Sequence, residues 1–362
     1  MALTTLPTAA FATGSVGTSQ LADGAVTTEK LVADVNFRNL IINGDMSIAQ
    51  RGTSFSSQSS SAYHLDRFKT LINNLGTFTI SQDTTVPTGQ GFAKSFKLDC
   101  TTADAAPAAG DSLQFVQYIE GQNLQLLKKG TSNAESLTVS FWVRSNKTGT
   151  YTLELYDNDN TRQISQTYTI SSADTWEKKT VTFAGDTSGA LDNDNALSFA
   201  VQWWLGAGSN FTSGTLSETW TSVTTANRVS SSQVNIADNT ANEWYITGIQ
   251  IEVGTTASDF EFLPYDVNLQ RCQRYFEFAE GGYQGPVYGT ATDMRVSVPF
   301  KVTKRANPTL TKISGNENCC SSVTVVVASI DETLGARVQG TNVFSAGAGK
   351  YWNVKFSADS EL

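Results

Sequence analysis

The fold of this chain is decided by the stretch TYTLELY, residues 150–156, in which apolar and polar side chains alternate. A period of two residues is typical of a β-strand that is buried on one face. The odd-numbered residues are predicted to point into a core, whereas Thr152 and Glu154 would point outward. The stretch therefore predicts a sheet that packs one face on a hydrophobic layer.

Similar segments recur through the region 38–265, separated by Gly, Asn, Asp and Ser. Because no segment is followed by a convincing crossover helix, a parallel α/β sheet is disfavoured. We therefore predict an all-β fold, an antiparallel jelly-roll sandwich of two sheets. The predicted strands are 40–42, 78–82, 93–100, 112–119, 137–144, 149–156, 164–170, 176–183, 196–204 and 243–253.

A helical pattern interrupts the strands at 266–281. Asp266 follows Pro264 and can begin a helix, and Gly281 can end it. We predict a short helical connector here, followed by a small C-terminal β-domain at 282–362. Apolar residues recur in the connector at spacings of three and four, and we assign Leu269, Tyr275 and Phe276 to contacts between subunits. The predicted C-terminal strands are 294–304, 309–313, 322–330, 335–339 and 351–358.

The N-terminal segment, residues 1–37, contains two copies of a ten-residue repeat. GSVGTSQLAD at 14–23 is followed directly by GAVTTEKLVA at 24–33. Each copy carries two apolar anchors and cannot bury them alone. Two interpretations are open: a thin parallel bundle of three chains, or a flexible Thr-rich linker. The spacing favours the bundle, with subunit contacts by Val16, Leu21, Val26 and Leu31.

Composition narrows the possible partners. The 362 residues suffice for two or three domains, and 34 acidic against 25 basic residues give a net charge of −9. An acidic surface disfavours nucleic acid as a partner. The sequence lacks a long apolar run for membrane insertion and a basic-then-apolar leader, so we expect a soluble chain without a signal peptide.

Catalytic and metal-binding motifs are weak. The four cysteines form no C-x-x-C pair, and the single histidine, His64, has no G-x-S-x-G nucleophile to activate. The two DNDN stretches at 157–160 and 192–195 offer oxygen ligands for calcium, but they lack the glycine and distal glutamate of an EF-hand and are typical of turns. We expect no enzyme activity, no cofactor and no metal.

Aromatic residues in polar surroundings are candidates for sugar stacking, because flat rings supply contact area at little entropy cost. The adjacent Trp203 and Trp204 must point to opposite faces of a strand, so one of them could be exposed. The candidate receptor-binding residues are Trp220, Tyr283, Tyr288, Tyr351 and Trp352.

Several motifs together resemble a domain that is frequent in tail-fibre proteins of tailed bacteriophages. NLIINGDMSIAQRG at 39–52 and YHLDRF at 63–68 are similar to the opening of that domain. The resemblance continues through SFWVRS at 140–145, QIEVG at 250–254 and RCQRYF at 271–276, as far as the ending FSADSEL. It implies a jelly-roll similar to a carbohydrate-binding module, within a homotrimeric fibre of the virion.

The resemblance also implies a direction for the fibre. The N-terminus would join other tail or virion proteins, and the C-terminal region would bind a host-surface glycan or receptor. Three alternatives differ in function: an attachment fibre, a structural spacer or head-decorating fibre that binds no receptor, and a polysaccharide depolymerase. We expect the first of these.

Overall fold

The computed structural model describes residues 37–287, 293–317, 322–327, 334–341 and 347–362. The predicted antiparallel jelly-roll sandwich is confirmed. Its strands are β1 (Ser54–Gln58), β2 (Ala62–Tyr63), β3 (Phe68–Asn73), β4 (Thr77–Asp83), β5 (Ser95–Thr102), β6 (Ser112–Glu120), β7 (Leu137–Ser145), β8 (Gly149–Asp157), β9 (Arg162–Ile170), β10 (Glu177–Phe183), β11 (Leu197–Ala207), β12 (Thr221–Ser222) and β13 (Glu243–Val253).

These strands form two sheets. The first has the order β1-β4-β5-β13-β7-β10, and the second has the order β12-β9-β8-β11-β6-β3-β2. Short helices connect them: α1 (Ser209–Thr212), and 3-10 turns at Gly121–Asn123, Gln125–Leu127, Thr225–Asn227 and Ile236–Asp238.

The core lies between the two sheets and is rich in aromatic rings. Phe115 of β6 lies 5.8 Å from Trp203 and 5.5 Å from Trp244, measured between ring centroids, and all three side chains are fully buried. Each such side chain contributes roughly 1.5–3 kcal/mol through burial, which makes this layer the main source of sandwich stability.

The predicted strand at 40–42 is wrong, because these residues form a bend. The side chain of Gln117 makes the hydrogen bonds to Ile42 that a neighbouring strand would otherwise make. Its Oε1 accepts from the backbone N of Ile42 at 2.8 Å, and its Nε2 donates to the O of Ile42 at 2.9 Å. A buried backbone must have its hydrogen bonds satisfied, and here one glutamine serves both groups.

The outward orientation predicted for Thr152 and Glu154 places them on the correct face, but both are fully buried. Residues 208–235 cross this face of the second sheet. Ser230 N donates to Thr152 Oγ1 at 3.2 Å, and Arg228 Nε donates to Glu154 Oε1 at 2.8 Å. The local alternation could not indicate this cover, since it comes from a distant segment.

The predicted connector 266–281 is helical only in its first part. Helix α2 spans Tyr265–Gln273, and β14 begins at Phe276. The strand forms because β14 pairs with the last strand of the chain, with Phe276 opposite Asp359 and Glu277 opposite Ala358. Tertiary pairing therefore overrides the helical spacing of the later apolar residues.

Five of the six described C-terminal strands overlap predicted segments; the first begins where a helix was predicted, and the predicted segment 294–304 is a strand only as far as Pro299. The six strands are β14 (Phe276–Val287), β15 (Asp293–Pro299), β16 (Thr309–Glu317), β17 (Ser322–Val327), β18 (Gly335–Thr341) and β19 (Gly347–Asp359). They form two three-stranded sheets, β14-β19-β16 and β15-β18-β17. The division of the chain into domains stays a prediction, and the repeat segment 1–36 lies outside the described residues.

The C-terminal strands are anchored to the sandwich by the residues that follow β19. Glu361 forms a buried ion pair with Arg67 and lies 3.4 Å from Arg51. Arg305 Nε donates to the carbonyl of Ser360 at 2.8 Å, and Tyr63 Oη donates to the carbonyl of Leu362 at 2.6 Å. These contacts fix the base of the C-terminal unit against β2 and β3.

Within the part of the chain that the structure describes, helices are too short or too polar to cross a bilayer.

Candidate functional site

The outer face of the second sheet carries two tyrosines in register. Ala200 of β11 lies directly opposite Tyr118 of β6 on one side and Tyr156 of β8 on the other. Strand spacing places the two tyrosine backbones about 9–10 Å apart, with only the Ala200 methyl group between them. Both rings are half-buried, and neither hydroxyl has a hydrogen-bond partner among the described residues. The face therefore offers two rings with free polar ends.

Two cations interleave with these rings. Lys69 Nζ lies 5.3 Å from the ring centroid of Tyr63 and 5.6 Å from that of Tyr118. Arg228 Cζ lies 5.1 Å from the ring centroid of Tyr156. We call Tyr63, Tyr118 and Tyr156 the tyrosine row. Cations at these distances attract the aromatic ring faces.

Arg228 is fixed by a buried carboxylate beneath it. Its Nε and Nη2 bind the two oxygens of Glu154 at 2.8 and 2.9 Å, and Trp204 Nε1 donates to Glu154 Oε2 at 2.8 Å. Burial acts to lower the pKa of Arg228, but the adjacent Glu154 carboxylate raises it overall. Arg228 is thus held charged beside the row.

Segment 208–235, which includes Arg228, covers the part of this face around Trp204. Phe211 packs on Trp204 with ring centroids 5.2 Å apart, and Gln233 Nε2 donates to the Trp204 carbonyl at 2.9 Å. Trp203 and Trp204 do point to opposite faces, but both are fully buried. The expectation that one of them is exposed is wrong, because the cover over Trp204 comes from far along the chain.

A cleft of about 350 Å³ lies where Tyr118 meets residues 37–42 and helix α2. Arg271 and Arg274 line it, together with the exposed side chain of Leu126. The outer face of the second sheet is therefore covered by segment 208–235 at one end and borders this cleft at the other.

Three arginines line the cleft, and two of them, Arg67 and Arg274, are each paired with a glutamate. Arg274 binds both oxygens of Glu120, and Tyr275 Oη also donates to that carboxylate. Burial acts to raise the pKa of Glu120, but the hydrogen bonds from Arg274 and Tyr275 lower it overall. Arg274, which lines the cleft, is therefore already occupied by a carboxylate.

The predicted receptor-binding residues lie elsewhere. Trp220 is half-buried, donates from Nε1 to the Ala184 carbonyl at 2.7 Å, and packs against the core. Tyr283 of β14 is paired with Trp352 of β19, and Tyr351 is paired with Gln284. Tyr288 lies outside the described residues. Receptor contact by these five side chains stays a prediction.

The predicted subunit contacts are also untested. Val16, Leu21, Val26 and Leu31 lie outside the described residues. Leu269 packs against a small cluster that contains Tyr275, which is 1% exposed, and Phe276 is 5% exposed. Packing within one chain accounts for the burial of Tyr275 and Phe276.

The turn at 157–160 is formed as predicted, and its first carboxylate binds a lysine. Asp157 pairs with Lys129, whose Nζ also lies 3.0 Å from Asp186 Oδ2 and 2.7 Å from the carbonyl of Gly189. Among the described residues, no group of three or more His, Cys, Asp or Glu side chains is arranged to hold a metal. The ammonium group fills this oxygen cage.

His64 is buried rather than presented to solvent. Its Nε2 lies 3.1 Å from Gln58 Oε1, and Phe55 packs on its ring at a centroid distance of 5.1 Å. Burial, with a smaller contribution from Arg51, lowers the pKa of His64 to about 4. A histidine in this setting is a packed side chain.

Sequence reasoning missed the tyrosine row and Arg271. The alternation in β6 and β8 contained a signal for Tyr118 and Tyr156, because it places both on the outward face. No local signal identified Arg228 or Arg271, which reach the site from other parts of the chain.

Comparison with known proteins gives distant structural similarity only. Neither a protein-family model nor a curated protein matches the sequence. Three similar solved structures are the enzymatically active domain of tailspike protein 4 from bacteriophage CBA120, a CBM4 module, and TmCBM61 in complex with β-1,4-galactotriose.

Sequence identity and TM-score are low for all three structures. Sequence identities are 14%, 13% and 12%, and the matches cover 60%, 58% and 60% of this chain. They span 22%, 97% and 99% of the other chains, with TM-scores of 0.32, 0.30 and 0.29. At these values the similarity carries no argument about ligand or activity.

Proposed function

We propose that the protein is a virion fibre component that attaches a bacteriophage to its host by binding a surface glycan, without cleaving it. The observation that carries this proposal is the tyrosine row on the outer face of the second sheet. Tyr118 and Tyr156, the two half-buried rings of the row whose hydroxyls have no partner among the described residues, suit a sugar, whose apolar ring faces stack and whose hydroxyl groups form hydrogen bonds.

Polar groups beside the row support the same ligand. Gln202 lies next to Ala200 along the sheet, between Val116 and Glu154 in register. Its amide has no hydrogen-bond partner among the described residues. The amide is therefore available to hydrogen-bond the hydroxyl groups of a sugar. The face therefore combines stacking surface with unfilled polar groups.

The bacteriophage part of the proposal rests on the sequence motifs that resemble tail-fibre domains. In the proposed fibre, residues 1–37 trimerise the chain and join other virion proteins, and the C-terminal region faces the host. Three copies of a weak glycan site on one fibre would give firm attachment through avidity.

A glycan array tests the proposed function directly. The full-length protein is applied as wild type, as the Y118A/Y156A variant, and as W142A, which removes a half-buried ring from the first sheet. Wild type and W142A should bind the same glycans, and Y118A/Y156A should lose them. Binding of no glycan by wild type supports the spacer or head-fibre alternative, and release of reducing ends from bound polysaccharide supports the depolymerase.

A further inference from the structure

The cleft beside Tyr118 is large enough for a ligand of its own. Its volume of about 350 Å³ lies in the range of small-molecule sites, about 300–1,000 Å³. Four separate segments build it: residues 37–42, Arg67, the end of β6 with the turns that follow it, and residues 271–275.

Arg271 brings into this cleft a positive charge that more distant groups, Glu261 among them, offset only in part. Its Nη2 makes one hydrogen bond, a long one of 3.4 Å to the Asn39 carbonyl. Of the described carboxylates, none lies within 4 Å of it, whereas the neighbouring Arg67 and Arg274 are each paired with a glutamate. Burial lowers the pKa of Arg271, although the side chain is half-buried and Glu261 acts to raise that pKa. A carboxylate in the cleft would supply the close ion pair that Arg271 lacks.

The other residues that line the cleft indicate which further chemical groups the ligand has. Leu126 is 47% exposed and Phe37 is 61% exposed, so the rim is partly apolar. Asn123 adds an exposed amide. An apolar rim, an amide and a guanidinium suit a ligand with a ring, hydroxyl groups and a carboxylate, which the planar guanidinium can bind through two parallel hydrogen bonds.

Tyr118 connects the cleft to the tyrosine row, because its side chain belongs to both. A saccharide chain lying along the row would therefore place one of its units in the cleft. Resting on the glycan-binding role proposed above, we propose that the glycan is acidic, and that Arg271 binds the carboxylate of the sugar unit that occupies the cleft.

The test uses the full-length protein and matched probes. The probes are an oligogalacturonate and its carboxyl-reduced form, in which each carboxylate becomes a primary alcohol, together with sialyllactose and lactose. The variants are R271M, R271K and the control R144M, which removes an arginine from the first sheet. Thermal unfolding confirms that each variant is folded.

We expect wild type and R144M to bind at least one acidic probe about ten- to a hundredfold more tightly than its neutral counterpart. R271M should lose that preference, and R271K should keep part of it. Equal binding of acidic and neutral probes by wild type overturns the inference, and so does an acidic preference that R271M retains.

The failure of this inference can be told apart from that of the proposed function. Binding to neutral glycans that requires Tyr118 and Tyr156 but ignores Arg271 overturns the acidic ligand and keeps the glycan-binding role. Absence of all glycan binding on the array overturns both.

Discussion

The guanidinium of Arg228 binds both oxygens of Glu154, and the two residues lie 74 positions apart in the chain. Glu154 is fully buried, and Arg228 is the cation that pairs with it. We expect R228M to lower the free energy of unfolding by about 3–5 kcal/mol, because removal of one partner leaves a buried carboxylate uncompensated. Denaturant unfolding measures the loss.

The double variant R228M/E154Q serves as the control for the Arg228 experiment. Removal of both charges should recover a large part of the lost stability. R228M unfolding at the same denaturant concentration as wild type would contradict the importance of this pair.

Lys129 and Lys128 provide a matched pair of lysines. The Lys129 side chain is 3% exposed and is bound by Asp157, Asp186 and two carbonyls, whereas Lys128 is 55% exposed. We expect K129M to destabilise the protein by about 3–5 kcal/mol, since it leaves the buried Asp157 without a cation, whereas Asp186 keeps its ion pair with Arg162. K128M should change stability by less than about 1 kcal/mol. Equal effects of the two substitutions in denaturant unfolding would refute the cage around Lys129.

Stacking and hydrogen bonding at Tyr118 can be separated by two substitutions. Y118F keeps the ring, and Y118A removes it. If the ring supplies the stacking surface, Y118A should weaken glycan binding roughly five- to tenfold, and Y118F should weaken it less. Titration of a glycan identified on the array gives both values. A larger loss for Y118F than for Y118A is the contrary result.

His64 should make stability depend on pH. Its pKa is about 4 in the folded chain and 6.5 in the unfolded reference, so protonation favours the unfolded state as the pH falls below 6.5. Between pH 7.5 and 5.5 this one group should cost roughly 1.4 kcal/mol, and the loss continues down to the folded pKa.

H64Q isolates the effect of the histidine, because the chain contains no other histidine. The difference in unfolding free energy between pH 7.5 and 5.5 should be smaller in H64Q than in wild type by that amount. If both proteins show the same pH dependence, groups other than His64 are responsible for it.

The repeat segment predicts the oligomeric state. Leu21 and Leu31 are predicted to be buried between subunits, and charged side chains there should dissociate the trimer. Native mass measurement should give three chains for wild type and one for L21D/L31D. The control T18D/T28D changes polar positions of the same two repeats and should stay trimeric. A monomeric wild-type protein would exclude the bundle.

Local alternation predicted most of the sandwich, because strand periodicity is a local property. The stretch at 150–156 placed Thr152 and Glu154 on the correct face. It could not predict their burial, since Ser230 and Arg228 arrive from a segment more than seventy residues away. The cleft at Arg271 escaped prediction for the same reason: Asn39, Tyr118 and Arg271 meet only in the folded chain.

The spacing of apolar residues also misled at one place. Cys272, Tyr275, Phe276 and Ala279 fit a helix, yet the last two belong to a strand. Over such a short stretch, a helix and a strand can bury the same residues. The strand forms here because a partner strand about eighty residues later pairs with it.

The pairing of Phe276 with Asp359 has an evolutionary consequence. Phe276 is where the chain leaves the sandwich, and Asp359 is where it returns. Because these two residues are paired, residues 277–358 resemble an insertion whose two ends are joined. Their length and sequence can change while Glu361 and Arg67 stay joined. In the fibre proposed above, these strands could be exchanged while the sandwich and its tyrosine row stay unchanged.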